Sequence, residues 1–143
     1  MPMLSWRDDY LVGEGTIDRD HRRLFDLINE FHDAYHRSWE RREIAKVLSG
    51  LVAYAEEHFQ REERIMAAAG CPDLAAHQRI HEELYETLYQ LQEGYESGRR
   101  NIDGQTTRFL NQWLVNHILD NDLRIGEYMR KHARPADAEP ASS

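Results

Sequence analysis

The sequence has little cysteine, an excess of acidic over basic residues and no long apolar run, and each of these excludes some classes of protein or partner. Cys71 is the only cysteine among the 143 residues, which excludes an intrachain disulfide and favours a reducing compartment such as the cytoplasm. Lysine and arginine number 18 against 26 aspartates and glutamates, for a net charge of −8. Such a surface repels phosphate backbones and anionic lipid, so neither nucleic acid nor a membrane surface is an expected partner.

The lack of long apolar runs bears on where the chain resides. No stretch is long enough to span a membrane, and residues 1–8 lack the apolar segment of a secretory signal. The length suits one domain with a substantial core, and 41% hydrophobic with 31% charged residues is typical of a soluble globular protein. We therefore expect a single cytoplasmic domain.

Apolar residues recur every three or four positions in four stretches, which is the period of one helix face. The stretches cover residues 21–35, 44–65, 74–95 and 106–117, and the last continues briefly to residue 129. Four helices with short connections predict an all-α fold, an up-down-up-down four-helix bundle with a short C-terminal helix.

The segments outside this pattern set the domain limits. Residues 1–16 have no helical period and predict an extended N-terminal arm, so the bundle with its arm covers residues 1–132. Residues 133–143 are small and polar and predict a disordered tail. Thr16 or Asp18 is the predicted cap of the first helix, and Gly70 followed by Pro72 is expected to end the second.

The apolar helix faces also carry good metal ligands. In an up-down-up-down bundle, the starts of helices one and three share an end with the finishes of helices two and four. The ligand candidates lie at those starts and finishes, which predicts that they meet at one end of the core. They are His21, His58, Glu62, His77, His81, His117 and Asp122.

Helical spacing supports this convergence within three of the helices. His77 and His81 are four residues apart, as are His58 and Glu62, and such pairs are neighbours on a helix face. His117 and Asp122 are five apart, which places Asp122 about 140° around a regular helix. We therefore expect a break or a widened turn between these two residues.

A structural role for these side chains is the main alternative. A single buried histidine is more often a core residue than a ligand, but a buried carboxylate is costly unless it is paired or bound to metal. The mixed set favours a pair of iron, zinc or manganese ions bridged by the carboxylates. Other polar residues are expected to face solvent, and Cys71 to be an inert thiol. The solvent-facing set is His32, His36, His132, Glu56, Glu57 and Glu63.

Four segments together resemble the hemerythrin family, specifically its single-domain bacterial members. They are IDRDHRRLF at residues 17–25, HFQREE at 58–63, HQRIH at 77–81 and WLVNHILDND at 113–122. The resemblance covers residues 6 to about 129 and fills all seven ligand positions with the family's residue types.

This resemblance implies a non-heme di-iron centre that binds O2 reversibly and carries a hydroxo or oxo bridge. It implies that one iron is held by His77, His81 and His117, and that the other, held by His21 and His58, keeps an open position for O2. Glu62 and Asp122 would bridge the two irons. The expected O2 pocket is apolar, with Leu114 as its gating residue, and consists of Leu24, Phe59, Trp113, Leu114 and Ile118.

The expected role is O2 storage, buffering or delivery in the cytoplasm, by a protein that is not an enzyme. An O2-consuming enzyme is the candidate recipient, and a monomer is the favoured state. The alternatives are a di-iron peroxidase, oxidase or nitric-oxide-consuming enzyme on the same scaffold, or an O2 sensor with a separate partner. The chain has no Glu-x-x-His, the pattern of ferritin-like di-iron enzymes, which favours binding of O2 over its cleavage.

Overall fold

The computed structural model describes residues 6–37, 40–99 and 104–132. The structure describes the N-terminal arm from residue 6 onward, where a 3-10 helix, Asp8–Tyr10, lies between Arg7 and Leu11, both of extended backbone. The longer elements are α1 (Gly15–His36), α2 (Arg41–Ala69), α3 (Leu74–Glu96), α4 (Gly104–His117), a π-helical turn (Ile118–Asp122) and α5 (Leu123–Lys131).

The helices form the predicted up-down-up-down four-helix bundle. α1 packs against both α2 and α4, and α2 packs against α3, as expected when short connections join antiparallel neighbours. α5 continues α4 beyond the π turn as the short C-terminal helix. Among the described residues there is no strand, and no helix is both long and apolar enough to cross a membrane. The predicted disordered tail, residues 133–143, lies outside the described residues.

The start of α1 is capped by a residue that the sequence pattern did not identify. Glu14 Oε1 accepts hydrogen bonds from the backbone N–H groups of Thr16 and of the next residue, at 2.8 and 2.9 Å. Asp18 instead accepts from the N–H groups of Val12 and Gly13, at 2.7 and 3.0 Å. The predicted cap was wrong because α1 begins before Thr16, so Asp18 lies within the first turn and binds the arm to the helix.

The end of α2 follows the prediction. Gly70 adopts the left-handed conformation, with φ of 73°, and its N–H donates to the carbonyl of Ala67. The N–H of Cys71 donates to Met66, which satisfies another carbonyl of the last turn. This turn directs the chain back into α3 and so places the start of α3 beside the finish of α2.

Buried apolar side chains form two clusters that differ in size. The smaller one joins the arm and the start of α1 to the finish of α2 and the start of α5. It consists of Val12, Ile17, Met66, Cys71 and Ile125. The larger one fills the length of the bundle and includes Leu24, Ile28, Phe31, Leu48, Leu51, Phe59, Leu88, Leu110, Leu114 and Ile118.

A buried polar layer lies between the two clusters. On α1, His21 follows Ile17 of the smaller cluster by one turn and precedes Leu24 of the larger one. On α2, Glu62 precedes Met66 of the smaller cluster by one turn. Apolar contacts on both sides therefore keep water out of this layer, which raises the cost of any charge in it that lacks a partner.

The arm depends on the absence of a side chain at Gly126 of α5. A Cβ added there would lie 1.8 Å from the carbonyl oxygen of Val12, which also accepts a hydrogen bond from Arg130 at 3.2 Å. We predict that Gly126→Ala displaces the arm and lowers the free energy of unfolding by about 1–3 kcal/mol, the usual cost of overpacking. Urea denaturation measures this change.

The matched control is Gly50→Ala on the exposed face of α2, where an added Cβ would meet nothing within 4 Å. This substitution should raise stability by about 0.5–1 kcal/mol, because alanine is the better helix former. Equal stability of Gly126→Ala and the parent would show that the arm does not pack against α5 in solution.

Candidate metal centre

The structure brings all seven predicted site residues into the polar layer. Five imidazoles reach it from α1, α2, α3 and α4, and two carboxylates reach it from α2 and the π turn. Every one of these side chains is buried, and Glu62 and Asp122 have no exposed surface at all. The seven residues are His21, His58, Glu62, His77, His81, His117 and Asp122.

Their ligand atoms fall into two overlapping groups, and within each group all atoms lie within 4.8 Å of one another. One group combines Glu62 and Asp122 with the three imidazoles of His77, His81 and His117. The other combines the same two carboxylates with the imidazoles of His21 and His58. The cluster therefore offers two adjacent cation positions. They share both carboxylates, but one has three imidazoles and the other has two different ones.

Glu62 divides its two oxygens between the groups. Oε1 lies 2.8 Å from Nε2 of His77 and 3.0 Å from Nε2 of His81. Oε2 lies 3.5 Å from Nε2 of His21 and 3.3 Å from Nε2 of His58. A carboxylate that faces two groups in this way can bridge two cations.

Asp122 divides its oxygens in the same sense. Oδ1 lies 3.1 Å from Nε2 of His77 and 3.0 Å from Nε2 of His117, both in the three-imidazole group. Oδ2 lies 2.9 Å from Nε2 of His21 in the other group. The two carboxylates thus span the same pair of positions from opposite helices.

Many of the inward-facing atoms have no hydrogen-bond partner among the described residues, although they are buried. Such orphaned polar atoms are costly and rare in folded proteins. Here they face shared positions, where a pair of cations would satisfy them together, so the residues fit a two-cation site. The atoms are Nε2 of His21, His58, His81 and His117, Oε2 of Glu62, and both carboxylate oxygens of Asp122.

The electrostatics of the cluster favour ionised carboxylates. Burial opposes charge on the imidazoles, but the close carboxylates of Asp122 and Glu62 raise the pKa of His21 to about 10 and of His77 to about 9. Burial also opposes ionisation of Glu62, yet the surrounding imidazoles hold the pKa of its carboxyl well below the usual range. Protons thus compensate the carboxylates when no cation does, and a cation must displace them.

The π turn delivers Asp122 to the cluster. A regular α-helix would carry Asp122 about 140° away from His117. Residues Ile118–Asp122 instead form a π-helical turn, which accommodates one more residue per turn and returns Asp122 to the inward face. The prediction of a widened turn between His117 and Asp122 is confirmed.

Three of the imidazoles contact a polar side chain outside the cluster through Nδ1. The sequence did not predict these contacts. Nδ1 of His81 lies 2.7 Å from Oε2 of Glu63, and Nδ1 of His117 lies 3.3 Å from the side-chain amide of Asn121. The prediction that Glu63 faces solvent was wrong, since this side chain is half-buried between α2 and α3. Outer contacts of this kind fix the ring orientation of a ligating histidine.

The third outer partner is Asp20, whose Oδ2 lies 3.1 Å from Nδ1 of His58. Its buried position was signalled in the sequence, because Asp20 falls between Ile17 and Leu24 on the apolar stripe of α1. The stripe identifies a buried position but not the histidine that the residue contacts.

The other predicted positions lie outside the cluster. His36 and His132 are exposed as predicted, whereas His32 is half-buried on α1. Cys71 is buried, and burial raises the pKa of its thiol, in keeping with the expected inert side chain.

The five apolar residues of the predicted O2 pocket are all buried, and the ring of Phe59 stacks on His81 at a centroid distance of 4.1 Å.

The fold and the cluster together define a cation-binding four-helix bundle protein. A family model, the hemerythrin HHE cation binding domain, matches residues 12–128. The chain therefore belongs to the hemerythrin family.

Individual relatives agree with this assignment over nearly their whole lengths. The chain is 33% identical to a bacteriohemerythrin of Stenotrophomonas maltophilia, over 92% of this chain and 85% of the relative. It is 35% identical to a bacteriohemerythrin of Methylococcus capsulatus, over 88% of this chain and 96% of the relative. It superposes on a crystal structure of wild-type hemerythrin with a TM-score of 0.83 and 34% identity, covering 89% of this chain and 98% of that one.

The cluster generates a prediction about metal content. His77→Ala removes an imidazole that contacts both shared carboxylates, so it should lower the cation content of the purified protein and its melting temperature together. Elemental analysis and thermal unfolding measure the two effects. His36→Ala is the matched control, because His36 lies on α1 but is exposed. A full cation content in His77→Ala would contradict this role.

Proposed function

We propose that this protein binds O2 reversibly at a non-heme di-iron centre. His77, His81 and His117 would hold one iron, and His21 and His58 would hold the other. Glu62 and Asp122 would supply carboxylate oxygens to both. The division of each carboxylate's two oxygens between the two groups is the observation that carries this proposal.

The unequal number of imidazoles in the two groups indicates that only one of the two irons would have an open position for O2. The three-imidazole position has five protein ligands, whereas the position of His21 and His58 has four. The second position therefore retains room for an exogenous ligand, as a site that takes up O2 requires. When bound, the iron pair supplies the electrons for reversible O2 uptake.

The ligand chemistry favours binding of O2 over its cleavage. Five neutral imidazoles and only two carboxylates stabilise high-valent iron less well than a carboxylate-rich site does. Two ferrous ions, two carboxylates and one hydroxide sum to a formal charge of about +1, so the centre can occupy an apolar core at modest cost.

The walls of the proposed O2 pocket are apolar and buried. The proposed pocket residues belong to the larger apolar cluster, and the indole N–H of Trp113 is the one hydrogen-bond donor among their side chains. A dry pocket limits proton access and so slows irreversible oxidation. The proposed pocket consists of Leu24, Phe59, Trp113, Leu114 and Ile118.

In the cell, this activity fits storage, buffering or delivery of O2 in the cytoplasm, with an O2-consuming enzyme as recipient. Turnover as an oxidase or peroxidase requires repeated delivery of protons to the pocket. The five apolar wall residues contain no carboxyl, imidazole or amine that could deliver them, which favours a carrier over an enzyme.

Repeated oxygenation separates a carrier from an enzyme. The reduced protein, exposed to O2 and then to argon, should return to the colourless ferrous form through several cycles, with two irons per chain throughout. Absorption spectroscopy and iron analysis follow the cycles. Consumption of O2 with loss of the ferrous form in the first cycle would identify an enzyme instead.

The pocket generates a second prediction, which concerns Leu114. Leu114→Ala opens space and Leu114→Tyr adds a hydroxyl, so both should speed autoxidation without loss of iron. Leu88→Ala is the matched control, because Leu88 is a fully buried leucine two turns beyond His81 on α3. The alanine variants at both positions should lose about 2–5 kcal/mol of stability.

Only the Leu114 variants should change the decay of the oxygenated spectrum, which is recorded over hours. Parental decay in both variants would assign the gating role to another residue of the wall. Equal acceleration in Leu88→Ala would show that destabilisation, and not access to the pocket, controls autoxidation.

A further inference from the structure

The outer contacts of the imidazoles differ between the two halves of the cluster. In the three-imidazole group, Nδ1 of His81 contacts the half-buried Glu63, and Nδ1 of His117 contacts the amide of Asn121. In the other group, Nδ1 of His58 contacts the buried carboxylate of Asp20. The most deeply buried outer carboxylate thus serves the group that has fewer imidazoles.

Asp20 is held in place by three side chains of α2. Its Oδ1 accepts from the hydroxyl of Tyr54 at 2.7 Å and from Nη2 of Arg61 at 3.0 Å. Its Oδ2 lies 2.8 Å from Nε of Arg61 and 3.1 Å from Nδ1 of His58. The two bonds from the guanidinium of Arg61 place a cation directly against this carboxylate.

Arg61 and Asp20 differ in their exposure to solvent. Asp20 is 2% exposed, whereas the side chain of Arg61 is 29% exposed and also lies 3.7 Å from Glu57. Arg61 therefore compensates only part of the negative charge of Asp20. The uncompensated part of this negative charge acts on the Nδ1–H of His58. Among the described residues, Nε of Arg61 and Nδ1 of His58 are the two hydrogen-bond partners of Oδ2.

A carboxylate that accepts a hydrogen bond from Nδ1–H makes the opposite nitrogen of the ring a stronger electron donor. The opposite nitrogen of His58 is Nε2, which faces Oε2 of Glu62 at 3.3 Å inside the cluster. The charge on Asp20 is thereby transmitted to the half of the cluster proposed to take up O2.

We propose that Asp20 and Arg61 act as a pair of opposing positioning residues that set the electron donation of His58, and with it the reduction potential of the centre and its retention of O2. This inference rests on the proposed function. Asp20 strengthens donation from His58 and favours the oxidised centre, whereas Arg61 withdraws negative charge from Asp20 and opposes it.

The two residues should therefore act with opposite signs. Asp20→Asn retains an oxygen that can accept from His58 but removes the charge, so the reduction potential should rise and O2 should be released faster. Arg61→Gln leaves the charge of Asp20 less compensated, so the potential should fall and O2 release should slow. Tyr54→Phe should shift both in the direction of Arg61→Gln, by a smaller amount.

The matched control for loss of a nearby charge is Glu57→Gln, since the carboxylate of Glu57 is exposed and lies 3.7 Å from Nη1 of Arg61. It should leave the potential nearly unchanged. The hyperfine-shifted N–H proton resonance of His58 gives a direct readout, which should move in Asp20→Asn and stay in place in Glu57→Gln. Unfolding of the metal-free proteins reports purely structural effects.

The experiment first measures iron content and reversible oxygenation in the parent, because failure there would remove the proposed function and this inference with it. In a competent parent, potentials that move in opposite directions in Asp20→Asn and Arg61→Gln support the pair. Shifts in the same direction, or shifts no larger than that of Glu57→Gln, would overturn it. If Asp20→Asn does not fold, Arg61→Gln and Tyr54→Phe decide, and an unchanged or raised potential in both overturns the inference.

Discussion

Two carboxylates buried without any exposed surface are the constraint on which the rest of the structure depends. Glu62 and Asp122 lie between two apolar clusters, where an unpaired charge would cost several kcal/mol. Five imidazoles surround them, and most of the atoms that face the shared positions lack hydrogen-bond partners among the described residues. A pair of bound cations at the shared positions would compensate these charges.

The helices and their ends serve the same constraint. The glycine turn after α2 sets the start of α3 beside the finish of α2, so that His77 and His81 face Glu62. The π turn compensates for the five-residue spacing from His117 and returns Asp122 to the inward face. The arm, docked on α5 through the gap at Gly126, closes the smaller apolar cluster over the end of the bundle.

The fold and the seven residues of the metal cluster were predictable because both follow from helical periodicity. Helical spacing places side chains on faces, and chain direction places the ends of helices together, so His21, Glu62 and His81 could be assigned to one level without coordinates. The widened turn before Asp122 followed from the same arithmetic. The hemerythrin resemblance then supplied the metal and the ligand.

The outer contacts were not predictable in the same way. Glu63 points about 100° from Glu62 on an ideal helix, which suggests solvent, but its long side chain reaches across to His81 on α3. Asp20 could be identified as buried from the apolar stripe, yet its bond to His58 depends on how α1 and α2 pack. The cap of α1 was missed because Glu14 acts through a side chain longer than those of the preferred capping residues.

In the proposed centre, one polar layer holds two irons between Glu62 and Asp122. Anomalous diffraction at the iron absorption edge, from crystals of the protein as purified, tests it most directly. We expect two iron peaks between the carboxylates, one beside His77, His81 and His117 and the other beside His21 and His58. A single peak, or anomalous signal at the edge of a different metal, would contradict it.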